Sequence, residues 1–307
     1  MAIALRHIAK SFGTQSVFRD LTLDIEAGAL HGVIGPNGTG KTTLFRIMLG
    51  LLPADEGTLT WHNQPWDRHP PQSAYVPEER GLYPFMSVRQ HLQWFGRLWG
   101  LSPTGAQERA LFWLDRLALT PYAATAALDL SKGNARKLQL ALSLLVPPDL
   151  LILDEPFDGM DPTNVRLIQQ VLHTLHQQGM TIILSSHSLD FLENFCTSVT
   201  LLRQGHIMVH GTQDRVRQSL PWRRLVIRFQ TPDAARRLAS WRVDGVTALV
   251  QDDLYTAVYH VAPQALASVQ LDRFASYGPI AAIHFEPPSL ADVYWHFTAS
   301  GNKEAAG

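Results

Sequence analysis

Cysteine is nearly absent: Cys196 is the single one among 307 residues. This excludes a disulfide framework and a cysteine-based zinc site, and it fits a reducing, intracellular setting. An excess of either charge is also missing. Lys and Arg total 26 against 27 Asp and Glu, a net charge of −1. A broad electrostatic footprint for nucleic acid or anionic lipid is therefore not expected. No apolar run is long enough to cross a membrane. The most apolar stretch, 138–153, is broken by Pro147, Pro148 and Asp149 and falls short of the roughly 20 residues a spanning helix needs. Arg6, His7 and Lys10 stand where a signal peptide would be apolar. What is present is a globular balance, 46% hydrophobic and 17% charged. At about 150 residues per domain, the length predicts about two domains.

The hydrophobic period places the elements. Leu21, Leu23 and Ile25 alternate with polar residues, as in a half-buried strand. Residues 29–34 read as a short strand, 42–51 as a helix closed by Gly50 and Pro53, and 58–62 as a strand. From Ser87 the period becomes helical, with Ser87 and Gln90 at capping-box spacing. Val88, Leu92, Phe95 and Trp99 share a face; a second helix, 106–119, is expected to bury Leu111, Leu114 and Leu117; a third covers 135–146. Residues 85–145 are thus a helical insertion. The aliphatic runs 150–153 and 181–184 suit strands covered on both faces of a parallel sheet. After about residue 220 the order becomes βαββαβ, that of a ferredoxin-like α+β domain. Its strands are 225–230, 246–250, 254–261 and 280–285, its helices 232–241 and 263–277, and its hairpin turns at Gln251, Asp252 and Asp253. A last helix, 289–297, is capped by Ser289. The expected division is 1–219, 220–300 and a tail, 301–307.

The chemistry sits in the first part. Gly35, Pro36, Asn37, Gly38, Thr39, Gly40, Lys41 and Thr42, followed by Thr43, match the phosphate-binding pattern G-x-x-x-x-G-K-[ST]. Glycines let backbone N–H groups turn onto phosphate oxygens, and the following helix adds its positive N-terminal end. Lys41 would reach the β- and γ-phosphates and Thr42 would offer a hydroxyl to Mg²⁺. The run 150–153 ends in Asp154 and Glu155. Asp154 would hold Mg²⁺, and Glu155 would orient and polarise an attacking water.

With these two motifs, the chain resembles the nucleotide-binding subunits of ATP-binding cassette (ABC) transporters over about residues 1–215. Leu130, Ser131, Lys132, Gly133 and Asn134 occupy the position of the family signature L-S-G-G-Q, with Lys132 and Asn134 departing from its commonest form. The resemblance implies that Phe12 stacks on adenine, against the alternative of a core aromatic. It puts Glu78 at the usual Q-loop glutamine, able to ligate Mg²⁺ or orient water. Asp161 falls at the D-loop aspartate, Asp158 replaces the common serine, and His187 matches the switch histidine that contacts the γ-phosphate. His173 and His176, one helical turn apart, read as a solvated face rather than a metal site. Trp94, Trp99 and Trp113 read as packing, one of them beside a groove for a permease segment.

The implied fold is a P-loop NTPase core with a helical subdomain. The implied activity is hydrolysis of Mg-ATP in a head-to-tail dimer, with Ser131, Lys132, Gly133 and Asn134 acting on the partner's ATP. The dimer would drive a separate membrane permease from the cytoplasmic face. The segment from Pro77 to Pro84, with the signature variant and the appended domain, resembles bacterial exporters of the sodium and drug efflux group. A soluble ABC ATPase of translation or DNA maintenance is the main alternative, and a P-loop kinase a further one.

Overall fold

The first two strands, β1 (Ile3–Phe12) and β2 (Gln15–Ile25), pair antiparallel and bury Ile3, Leu5, Leu21, Leu23 and Ile25. Strand β3 (Leu30–Ile34) is buried throughout and feeds the phosphate loop and helix α1 (Lys41–Met48). Strands β4 (Glu56–Trp61) and β5 (Gln64–Pro65) complete an antiparallel sheet ordered β2-β1-β4-β5. The computed structural model describes residues 2–79, 81–231, 246–251, 254–262, 274 and 276–299.

Strand β6 (Ser73–Val76) precedes the helical insertion of α2 (Val88–Leu98), α3 (Pro103–Arg116) and α4 (Lys132–Ser143). Ser87 caps α2 with both bonds of a capping box, so that terminus is fixed locally. Then β7 (Leu150–Leu153), α5 (Pro162–Gln177), β8 (Thr181–Ser185), α6 (Leu189–Phe195), β9 (Ser198–Arg203) and β10 (His206–Thr212) follow. The second sheet is ordered β10-β9-β3-β8-β7-β6, parallel except at β10. One core joins both sheets through α1: Leu44, Phe45 and Met48 cluster with Leu5, Phe18 and Leu23 and with Leu150, Ile152 and Ile183. Two buried side chains pack at β3, the strand that leads into the phosphate loop. His31 bonds Ser198 Oγ (2.7 Å) and Thr200 Oγ1 (2.8 Å). The Cys196 thiol packs against Gly32, where an added Cβ would meet Sγ at 3.1 Å.

Two expectations about packing are corrected. Leu111 and the rings of Trp94 and Trp99 are exposed, whereas Trp113 is buried. The inward stripe of α3 is Ala106, Ala110, Trp113 and Leu114. Small residues face α2 because the helices approach closely at Gly96, where a Cβ would lie 3.1 Å from that of Ala106. Trp94 and Trp99 pack sideways on Phe95, with ring centroids 4.9 and 5.6 Å away. Among the described residues no helix is long and apolar enough to cross a membrane.

The chain forms two compact units, Met1–Thr212 and Gln213–Gly307, so the break falls ahead of the expected 219. Helix α7 (Gln213–Gln218) buries Val216 and packs on the last helix, which places it with the second unit. That unit continues with β11 (Arg223–Phe229), β12 (Val246–Gln251), β13 (Thr256–Val261), β14 (Ile280–Glu286) and α8 (Leu290–Ala299). Its sheet is antiparallel, ordered β12-β13-β11-β14, over a core of Leu225, Ile227, Tyr259 and Phe274. The expected helix 232–241, most of 263–277, the turn residues Asp252 and Asp253, and the tail lie outside the described residues.

Candidate functional site

The phosphate loop takes its shape from backbone conformations that exclude side chains. Gly40 holds φ 100°, and a Cβ there would strike Phe18 and Val17 at 2.8 Å. A Cβ on Gly35 would come within 2.5 Å of Leu202 O. The loop, with Phe12, Val17, Glu78, Asp154 and Glu155, lines a cavity of about 330 Å³. Phe12 is 51% exposed at its rim, with Lys10 Nζ 5.6 Å from the ring centre; the core-aromatic alternative is thereby overturned. Lys41 is buried, and its Nζ donates to Gly35 O (2.8 Å) and Pro36 O (3.3 Å), 3.8 Å from Glu155 Oε1.

The two acids end the buried strand β7. Asp154 accepts from Thr42 Oγ1 and Ser185 Oγ (2.7 Å each) and from Tyr75 Oη (3.3 Å). Burial, then the adjacent Asp154 charge, push the Tyr75 hydroxyl pKa well up, so it stays a donor. Glu155 is 7% exposed and adopts a left-handed φ of 46°. A non-glycine residue held there stores of order 1–3 kcal/mol of strain, a feature that clusters at functional sites. Its N–H donates to Ser185 Oγ (2.8 Å) and its Oε2 lies 3.0 Å from His187 Nδ1. Its Oε1 is buried and has no hydrogen-bond partner.

The signature residues lie elsewhere. Ser131 caps α4 and accepts from Asn134 N–H (3.2 Å). Lys132 Nζ donates to Asp158 Oδ2 (2.6 Å), a bond that holds the Asp158 carboxyl below the ordinary range. Asp161 caps α5 through the N–H groups of Thr163 and Asn164 (3.0 Å each). None of Ser131, Lys132, Gly133 and Asn134 lines the cavity. His173 and His176 bring ring centroids to 6.2 Å, and among the described residues no group of three or more His, Cys, Asp and Glu gathers to hold a metal. The Thr42–Asp154 pair, with Glu78 on the cavity wall, offers hard oxygen donors. It suits Mg²⁺, which takes one or two protein ligands and completes its shell with substrate phosphate and water.

Sequence reasoning missed Ser185, Tyr75 and Arg136. Ser185 stands two residues before His187, so its position was the available signal. Tyr75 and Arg136 carried none, because their partners are distant in sequence.

The model of the ABC transporter family matches residues 18–158. The ABC transporter ATP-binding protein YhaQ of Bacillus subtilis is 34% identical over 301 residues, covering 95% of this chain and 97% of that one. The chain belongs to the ABC transporter family, as an ATP-binding subunit. Nod factor export ATP-binding protein I of Cupriavidus metallidurans is 36% identical over 68% of this chain and 70% of its own. A solved ATP-binding subunit of an ABC transporter superposes with a TM-score of 0.65 at 27% identity, over 71% of this chain and 93% of that one. This ABC subunit is therefore a nucleotide-binding transport ATPase with a P-loop NTPase core. The non-transport alternative is not favoured, and subunits of this family dimerise and work with membrane permeases.

Proposed function

We propose that this subunit hydrolyses Mg-ATP with Glu155 as general base, in a head-to-tail dimer that drives export through a separate permease. The observation that carries the reading is the buried Glu155 Oε1 in the phosphate-loop cavity, which accepts no hydrogen bond and lies 3.8 Å from Lys41 Nζ. A carboxylate oxygen left without a donor is ready to accept a proton from water. Lys41 would stabilise charge on the β- and γ-phosphates, and Phe12 would stack on the base. His187 holds Oε2 and would meet the γ-phosphate, while Glu78 orients water. Thr42, Asp154 and Glu78 would hold Mg²⁺, which supplies charge neutralisation at the phosphates. Because the signature residues do not line the cavity, Ser131, Lys132, Gly133 and Asn134 would complete the partner's site, with Asp161 at the seam.

Docking to a permease has its own support. A groove of about 490 Å³ opens between β6, the segment after Pro77 and helices α2 and α4, with Phe95 and Trp99 in its wall. A permease docked there would hold the subunit at the cytoplasmic face of the membrane. Export is supported by the relative named for Nod factor export. The second unit's strand order, β12-β13-β11-β14, supports a ferredoxin-like accessory domain, for which we propose a role in stabilising the dimer.

Glu155→Gln should bind ATP normally and lose about 100-fold or more in turnover, because an amide cannot take the proton. The variant dimer should then persist on sizing chromatography with Mg-ATP. Near-normal turnover overturns the assignment.

A further inference from the structure

Arg136 lies one turn inside the signature helix α4 and is 4% exposed. A buried guanidinium normally faces a carboxylate; this one spends its donors on oxygens of the backbone and of an amide. One terminal nitrogen donates to Pro77 O and to Gln139 Oε1 (3.2 Å), the other to Glu155 O (3.2 Å). Gln139, on the same helical face, donates from Nε2 to Glu79 O (2.7 Å). The two α4 side chains therefore clasp the backbone on both sides of Glu78 and the carbonyl of Glu155.

The Glu155 peptide is thus pinned at both ends, its N–H on Ser185 Oγ and its carbonyl on Arg136. Between these bonds lies the left-handed φ of 46°. Glutamate does not hold that conformation unaided. Burial lowers the Arg136 pKa, and the charges of Glu78, Asp158, Asp154 and Glu155 oppose the shift. The guanidinium is also, beside Lys41, a buried countercharge to the acids of the cavity.

We infer that Arg136 is a positioning residue for hydrolysis: it ties the signature helix to the Glu155 turn and the Glu78 segment, and so aims the base. The inference rests on the reading of Glu155 as the base. Its forked geometry is needed, because two separate nitrogens reach two carbonyls that a lysine ammonium cannot span in the same way.

In the full-length protein, Arg136→Gln should lower kcat about 10- to 100-fold, the scale of a misplacement near 1 Å. Binding of a fluorescent ATP analogue should stay within about twofold, because the phosphate loop is untouched. Arg136→Lys should recover only part of kcat. In a Glu155→Gln background, adding Arg136→Gln should leave the residual single-turnover rate unchanged, since there is no base left to aim. A loss that multiplies in that background, or a parallel loss of ATP binding, overturns the inference. If Arg136→Gln does not fold, Arg136→Lys in both backgrounds makes the same comparison. An inactive Glu155→Gln beside a fully active Arg136 variant overturns this inference alone. A fully active Glu155→Gln overturns the parent reading and this one with it.

Discussion

At the scale of single residues, the parallel sheet hides a titratable group close to the nucleotide site. His31 is 2% exposed between two hydroxyls, and burial first, then the charge of His210, lowers its pKa to about 3. The unfolded chain takes up a proton near pH 6.5. Between pH 6.5 and about 3 the unfolded state therefore binds more protons, and stability falls as the pH falls. Each unit in that window costs up to about 1.4 kcal/mol. His31→Gln keeps polar contacts and removes the titration. Urea melts at pH 7, 6 and 5 should show a steeper decline for the natural protein than for the variant. Parallel declines would mean that His31 is not the group responsible.

At the scale of elements, the proposed two-chain site gives the phosphate loop and the signature helix different roles. Lys41→Ala removes the cation proposed to face the phosphates and should weaken ATP binding in the isolated subunit. Ser131→Arg should leave that binding nearly intact and block the ATP-dependent dimer, because Ser131 does not line its own chain's cavity. Equilibrium binding at monomer concentrations, followed by sizing with Mg-ATP, separates the two. Equal loss of affinity in both variants would defeat the two-chain site. The same elements show why some of the site was legible and some was not. Lys41, Thr42, Asp154 and Glu155 lie in short motifs whose spacing is set by one strand and one turn. The α2 cap was legible because Ser87 and Gln90 satisfy each other locally. The phase of α3 was misread, because its buried stripe rests on Ala106 and Ala110, which carry little hydrophobic signal, while the bulkier Leu111 faces water. Arg136 was invisible because its partners Pro77 and Glu155 lie just past the ends of β6 and β7, distant from it in sequence.

At the scale of the whole molecule, the chain divides after Thr212, and the residues proposed for ATP lie between Phe12 and His187. A chain ending at Thr212 should fold, bind Mg-ATP and keep its basal ATPase activity. It should lose dimer stability or coupling to transport. Nucleotide binding and turnover of the truncated and full-length proteins, measured side by side, check this. A soluble, folded truncation that cannot bind ATP would assign the second unit to the catalytic body. Within the second unit, Trp222 stacks on His260 with ring centroids 3.6 Å apart.

The lone thiol gives the molecule a native clock. Cys196 follows α6, behind the strand that feeds the phosphate loop, and burial raises its pKa. A thiol must reach solvent and ionise before a reagent can take it. The pace at which a soluble alkylating agent couples to Cys196 therefore counts how often α6 lifts from β3. Because α6 begins just after His187, that pace reads the breathing of the His187 side of the sheet, with no label engineered into the chain.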